Sequence, residues 1–225
     1  FKAVVFDLDA TLVDLGRHVS WDRAHENIVQ AYISCGCPEE FVHSCSSLGL
    51  FKMMNKMWDN LISKDEQFPM ETQERIYSIL EEFEMEGTDI CSPLDGALDC
   101  IKWLNERELP VGICTSNSQK VAERIIERLG WSPYIKAIVG REQGVKMKPD
   151  PEQLLICFNA IGVRPEEGVM VGDSPDDMKA GRAAGCYNIG IPSSFNEPSL
   201  LLQSGANILI DSLRELPESF RTLKP

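Results

Sequence analysis

The sequence predicts an α/β protein: a parallel sheet with helices on both faces, interrupted by an all-helical insert. Three observations predict it. From Cys91 onward, short apolar runs alternate with helical patterns, and that alternation implies parallel strands joined by helical crossovers. Between about residues 16 and 90 only helical periodicity remains, over a length too great for a simple crossover. Three of the apolar runs also end in carboxylate or hydroxyl side chains, at the strand ends where open α/β sheets bind ligands.

The elements follow in order. Ala3-Val4-Val5-Phe6 reads as a buried strand. Ser20 is placed to cap a helix reaching about Ser34, with Trp21, Ala24, Ile28, Ala31 and Tyr32 as its apolar stripe, and Gly36-Cys37-Pro38 ends it. A second helix runs through Phe51, Met54, Met57, Trp58 and Leu61, and a third from near Pro69 to about Met85. Further helices are expected near 95–107, 118–129, 151–161, 175–184 and 197–204, and strands near 111–114, 136–139, 168–171, 186–190 and 207–210. Leu216 to Pro225 reads as a short helix or a frayed tail. Residues 1–15 and 91–225 then form one discontinuous α/β core, and 16–90 a helical cap.

Four segments carry chemistry. Asp7 and Asp9 leave the first strand two residues apart, so one carboxylate can attack while the other moves protons; an acidic turn is the plainer alternative. Thr115-Ser116-Asn117-Ser118 follows an apolar run, and hydroxyls with free backbone amides can cradle a phosphate. There Ser118 serves equally as a helix N-cap. Lys148 adjoins Pro149-Asp150-Pro151, a stiff turn presenting an ammonium that can neutralise phosphoryl charge; Lys146 lies further from the rigid element. Gly172-Asp173-Ser174-Pro175-Asp176-Asp177 again ends a strand in carboxylates, with Asp177 about one helical turn beyond Asp173. Such oxygens suit Mg²⁺, and also suit an acidic helix start.

In this order the four segments resemble the motifs of the haloacid dehalogenase superfamily of phosphohydrolases, in particular its helically capped members similar to phosphoglycolate phosphatase and β-phosphoglucomutase. Asp7, Asp9 and Thr11 match the first motif, Thr115 the second, Lys148 the third, and Asp173 with Asp177 the fourth. The resemblance implies a Rossmann-like core and a Mg²⁺-dependent phosphatase that passes through an aspartyl phosphate on Asp7. Asp9 would serve as acid and base, and Thr115, Ser116, Asn117 and Lys148 would hold the phosphoryl oxygens. The metal would take the Asp7 and Asp173 carboxylates and the Asp9 backbone carbonyl, with Asp177 ordering its water shell. A phosphomutase keeps the same motifs and stays open. A dehalogenase is disfavoured by Asp9, and a non-catalytic binding protein by the intact acids and lysine. Ala10 stands where glycine is usual, and a methyl group is tolerated there if φ is negative. In the insert, Arg17 and His18 follow the first motif most closely and are the candidate substrate contacts.

A formal charge of −13 argues against nucleic acid as substrate and makes a metal more necessary for an anionic one, here a small phosphorylated metabolite. No run approaches the ~18 apolar residues of a membrane span, and no basic-then-apolar leader opens the chain. Phe1 is not an initiator methionine, so a few residues are expected to precede it. Eight cysteines, several inside apolar patterns, suggest buried thiols in a reducing, cytoplasmic compartment. Cys35, Cys37 and Cys45 with His43 lack the usual structural zinc spacing.

Overall fold

The computed structural model describes residues 1–61, 67–193 and 196–222. Its strands are β1 (Ala3–Phe6), β2 (Val111–Ser118), β3 (Ile135–Arg141), β4 (Gly168–Gly172), β5 (Tyr187–Gly190) and β6 (Ile208–Leu209). Its helices are α1 (Trp21–Ser34), α2 (Glu39–Ser46), α3 (Leu50–Leu61), α4 (Gln67–Thr88), α5 (Ala97–Asn105), α6 (Gln119–Arg128), α7 (Glu152–Ile161), α8 (Pro175–Ala184), α9 (Pro198–Ser204) and α10 (Leu216–Thr222). The strands form one parallel sheet in the order β3-β2-β1-β4-β5-β6. The chain moves outward from β1 through β2 and β3, then returns to lay β4 on the other side of β1. That reversal opens a crevice at the C-terminal ends of β1, β2 and β4.

Period-two alternation divides the sheet's two faces. Val4 and Phe6 of β1, with Val169 and Val171 of β4, pack against Ile101 and Leu104 of α5 and Val121 and Ile125 of α6. Ala3, Val5 and Met170 point the other way, onto Leu154, Cys157 and Phe158 of α7 and Ala180 of α8. β1 has no exposed side, as a central parallel strand requires.

α1 to α4 lie between β1 and α5 in sequence and build their own apolar core. Ala24, Ile28, Tyr32, Val42, Met53, Met57, Ile76 and Leu80 are buried together, joined by Met147 from the loop before α7. α2 was not expected from the sequence. Its eight residues place only Val42 and Cys45 fully inward, too short a stripe to register as a period. The start was nonetheless marked by Pro38 at the N-cap with Glu39 and Glu40 in the first turn.

α4 is also tied to the sheet domain. Lys120 of α6 meets Glu81 at 3.0 Å, and Arg124 reaches the Thr88 hydroxyl at 2.9 Å and Asp89 at 2.7 Å. Between these exposed contacts lies a fully buried one. Arg141, the last residue of β3, pairs both terminal nitrogens with the Glu84 carboxylate at 3.0 and 2.9 Å, and neither side chain is accessible to solvent.

All eight cysteines carry thiols rather than disulfides, and Cys37 and Cys45 belong to the apolar core of the helical layer. Among the described residues no helix is long and apolar enough to cross a membrane. α10 ends at Thr222; the residues beyond it in the expected tail lie outside the described ones.

Candidate active site

Asp7 is the first residue beyond β1, and its amide still donates to Val171 of β4 at 2.9 Å. The carboxylate is therefore aimed from the centre of the sheet into the crevice. Its Oδ1 accepts from Lys148 Nζ at 2.6 Å. The same ammonium donates to Asp177 Oδ1 at 2.5 Å and to the Cys114 carbonyl of β2 at 2.9 Å. One buried cation thus ties the ends of β1 and β2 to the start of α8. Lys146, by contrast, is exposed and faces Asp150 at 3.9 Å.

Asp177 sits where it does because of local capping. The Ser174 hydroxyl and amide donate to Asp177 Oδ2 at 2.7 and 3.0 Å, and the Asp177 amide returns a bond to Ser174 Oγ at 3.2 Å. This reciprocal box starts α8, with Pro175 in its first turn. Gly172 admits the packing: a Cβ there would lie 2.5 Å from Asp177.

Oxygens of Asp7, Asp173 and Asp177 lie within 4.8 Å of one another. Three carboxyl groups thus share the single Lys148 charge. Burial pushes the Asp7 carboxyl well above the usual range, and Asp177 and Asp173 add to it. Burial, then Asp177, pushes Asp173 up to about 7. Burial opposes the Lys148 charge, but Asp177 and Asp7 outweigh it and hold its pKa above normal. A hard divalent cation held by oxygens is the species whose charge and chemistry fit this set. Asp177 is part of this cluster, whereas the Asp9 carboxylate is not.

Asp9 is turned aside. Its Oδ1 accepts the Gly16 amide at 2.7 Å, and a Cβ on Gly16 would come within 2.6 Å of its Oδ2. Trp21 Nε1 in turn donates to the Gly16 carbonyl at 2.9 Å. Burial raises the Asp9 carboxyl to about 6, although the Gly16 and Ala10 amides pull it down.

The turn carrying Asp9 corrects one expectation. Ala10 has φ of +59°, in the left-handed region, not at negative φ. The turn is tight: the Leu12 and Val13 amides both donate to the Leu8 carbonyl, and the Ala10 amide donates to Val13. Left-handed geometry costs an alanine about 1–2 kcal/mol. Ala10→Gly should therefore stabilise the protein by about 1 kcal/mol once the added freedom of the unfolded chain is subtracted. That is a rise of about 2–4 °C in melting temperature for a chain of this size. A lowered melting temperature by calorimetry would refute this.

The Thr115–Ser118 segment is the extended end of β2 rather than a turn. The Thr115 hydroxyl donates to Asn117 Oδ1 at 3.0 Å and accepts the Asn117 amide at 3.2 Å. Behind it, Arg141 donates to the Ser116 carbonyl at 2.6 Å. Glu84 accepts from Asn117 Nδ2 and the Ser118 amide, both at 3.1 Å. Ser118 caps α6 through the Val121 amide at 3.2 Å. Buried Gln153 bonds the Thr115 and Gly140 carbonyls at 3.1 and 2.7 Å and accepts the Lys148 amide at 3.3 Å. It thereby holds the lysine turn against β2. Sequence reasoning missed Glu84, Arg141 and Gln153; only Gln153 left a trace, as a polar residue on the Cys157–Ile161 stripe of α7.

A cavity of about 370 Å³ gathers Asp7, Asp9, Thr115, Ser116, Asn117, Lys148 and Asp173 under Trp21 and Phe51 of the helical layer. Arg17 does not line it. Arg17 faces a neighbouring cavity of about 250 Å³ with Asp14, Asp95 and Asp211. His18 lies 3.6 Å from Asp14. Thr11 is buried, and its hydroxyl has no hydrogen-bond partner among the described residues.

Comparison with known proteins agrees with this architecture. Residues 4–191 match the family model for haloacid dehalogenase-like hydrolases. The chain is 30% identical over 223 residues to a phosphoglycolate phosphatase of Chromobacterium violaceum, covering 96% of this chain and 94% of that protein. Its fold is shared by a putative β-phosphoglucomutase from Thermotoga maritima (TM-score 0.66, 22% identity, all of both chains). It is also shared by a hydrolase from Pseudomonas syringae (TM-score 0.70, 21% identity, all of both chains). The chain belongs to the haloacid dehalogenase-like hydrolase family.

Proposed function

We propose that this family member is a Mg²⁺-dependent phosphatase that hydrolyses a small-molecule phosphate monoester through an aspartyl phosphate. The observation that carries the reading is the single buried ammonium shared by Asp7, Asp177 and the end of β2, beside a cluster of three carboxyl groups. A phosphoryl group brings negative oxygens; a site for it needs fixed positive charge and oriented donors. The C. violaceum relative's name supplies the substrate class, a phosphorylated metabolite.

Asp7 attacks phosphorus in line with the leaving oxygen. Lys148 and the Thr115–Asn117 segment hold the equatorial oxygens as charge redistributes. Asp9, its carboxyl raised to about 6, donates a proton to the departing alcohol and then takes one from the water that cleaves the acyl phosphate. Asp7 and Asp173, with the Asp9 backbone carbonyl, would hold Mg²⁺, and Asp177 would orient its water. The metal, when bound, supplies charge neutralisation for the phosphoryl group. Residues 16–90 act as a cap that keeps bulk water from the transfer, with Arg17 and His18 near its first junction. The thiols fit a reducing compartment such as the cytoplasm.

Phosphate release from a metabolite panel tests the reading. Excess chelator should abolish it and Mg²⁺ should restore it. Asp173→Ala should raise the Mg²⁺ needed for half-activity by about 10–100-fold or more. Full turnover in chelator would reject the metal assignment, and a required bisphosphate activator would point to a mutase instead.

A further inference from the structure

We infer that this site, taken as the phosphatase site proposed above, accepts a substrate whose leaving group is uncharged and presents a flat apolar face, rather than a phosphorylated small acid. The inference rests on what lines the part of the cavity left over for the leaving group.

Among the described residues lining that cavity, Lys148 is the one cation. It is already bonded to Asp7, Asp177 and the Cys114 carbonyl, at the phosphoryl end. Nearby cations of the helical layer are directed elsewhere. Arg17 lines the neighbouring cavity, which shares Asp9 and Ala10 with this one, and stands there with Asp14, Asp95 and Asp211. Arg23 lies over the Phe83 ring, 5.7 Å from its centroid. Lys52 lines an outer groove together with Lys146. Of the carboxyls that reach the cavity besides the metal cluster, Asp9 is the proton donor and Asp176 would repel a second anionic group on the substrate.

The helical layer instead contributes aromatic surface. Trp21 and Phe51 meet edge to face, with centroids 6.0 Å apart and planes at 65°. The indole N–H is already satisfied by the Gly16 carbonyl at 2.9 Å, so Trp21 offers its ring rather than a donor. Such a wall rewards an apolar or aromatic face. The Gly16 amide holds Asp9, so the Trp21 half of the wall and the proton donor are built on one short segment, with Phe51 brought in from α3. A leaving group stacked on the wall therefore has its bridging oxygen beside Asp9.

The test is steady-state kinetics with Mg²⁺ on benzyl phosphate, ethyl phosphate and 2-phosphoglycolate, three esters of unactivated alcohols. Benzyl phosphate should exceed 2-phosphoglycolate in kcat/KM by about tenfold or more. Phe51→Ala and Trp21→Ala should collapse the benzyl-to-ethyl ratio towards one. Phe51→Leu, which keeps an apolar side chain in the core, serves if either alanine variant fails to fold. Phe51→Arg should shift preference towards 2-phosphoglycolate. Preference of the native protein for 2-phosphoglycolate over both other esters would overturn the inference and leave the phosphatase reading standing. So would an unchanged benzyl-to-ethyl ratio in folded variants. Failure to release phosphate from any of the three would instead overturn the phosphatase reading, and the inference with it.

Discussion

Asp7→Asn should lower turnover by about 10⁴-fold or more, the scale seen when a nucleophile is removed, and leave the protein folded. An amide in place of the carboxylate is a poor nucleophile and cannot form a stable acyl phosphate. Folding should survive because Lys148 keeps Asp177 and the Cys114 carbonyl as partners. Asp7 is also a carboxyl that burial already disfavours as an anion, so an uncharged isostere relieves some repulsion within the cluster. Rapid-quench trapping of a phosphorylated protein should find label at position 7 in the native chain and none in the variant. Substantial turnover by Asp7→Asn with an unchanged melting curve, or label elsewhere, would remove Asp7 from the nucleophile's role.

The largest stability effect is expected at Arg141. Arg141→Met should cost about 3–5 kcal/mol, because it strands a buried Glu84 carboxylate without its counter-charge. For a chain of this size that is a fall of about 6–20 °C in melting temperature. The loss does not mean that the pair is worth as much. Arg141 Nε has no hydrogen-bond partner among the described residues, and both charges are fully out of water. Arg141→Met combined with Glu84→Leu should therefore recover most of the stability, so the coupling energy in the double-mutant cycle should be about 3 kcal/mol or more. Recovery of stability need not restore function. The Ser116 carbonyl, Asn117 side chain and Ser118 amide would lose their partners, and KM should rise even in the stable double variant. Additive losses in the cycle would show that the two residues act independently.

What was legible in the sequence follows from the range of the forces involved. Apolar runs and helical stripes are local, so the strands of the sheet and the helices around it could be read within a few residues. The carboxylates, hydroxyls and lysine of the site could be read because strand ends place them together once the sheet forms. Glu84 could not. It stands in the run Glu81-Glu82-Phe83-Glu84-Met85-Glu86, where four similar side chains differ only in which way the helix turns them. Only one finds an arginine brought from β3, 57 positions later in the chain. The backbone at Ala10 could not be read for a related reason: its φ is set by hydrogen bonds that fold the 8–13 turn back on itself, not by its own preference. Arg17 and His18 are close to the first motif in sequence, but the short turn they form lies on the Asp14 side of Asp9.

The anchoring of α4 has a mechanical consequence. Its last two turns are bolted to α6 and β3 at Glu81, Glu84 and Thr88, while α3 touches the sheet domain lightly, through Asn55 Nδ2 on the Lys148 carbonyl at 3.3 Å. The helical layer is thus held like a door on one jamb, by more side-chain bonds on the α4 side than on the α3 side. Any outward swing of α3 must release the Lys148 carbonyl and draw Met147 from the layer's core, so the latch of this door is the backbone of the residue whose ammonium reaches Asp7. Amide exchange should reflect the asymmetry, slowest near Glu84 and fastest across α2 and α3.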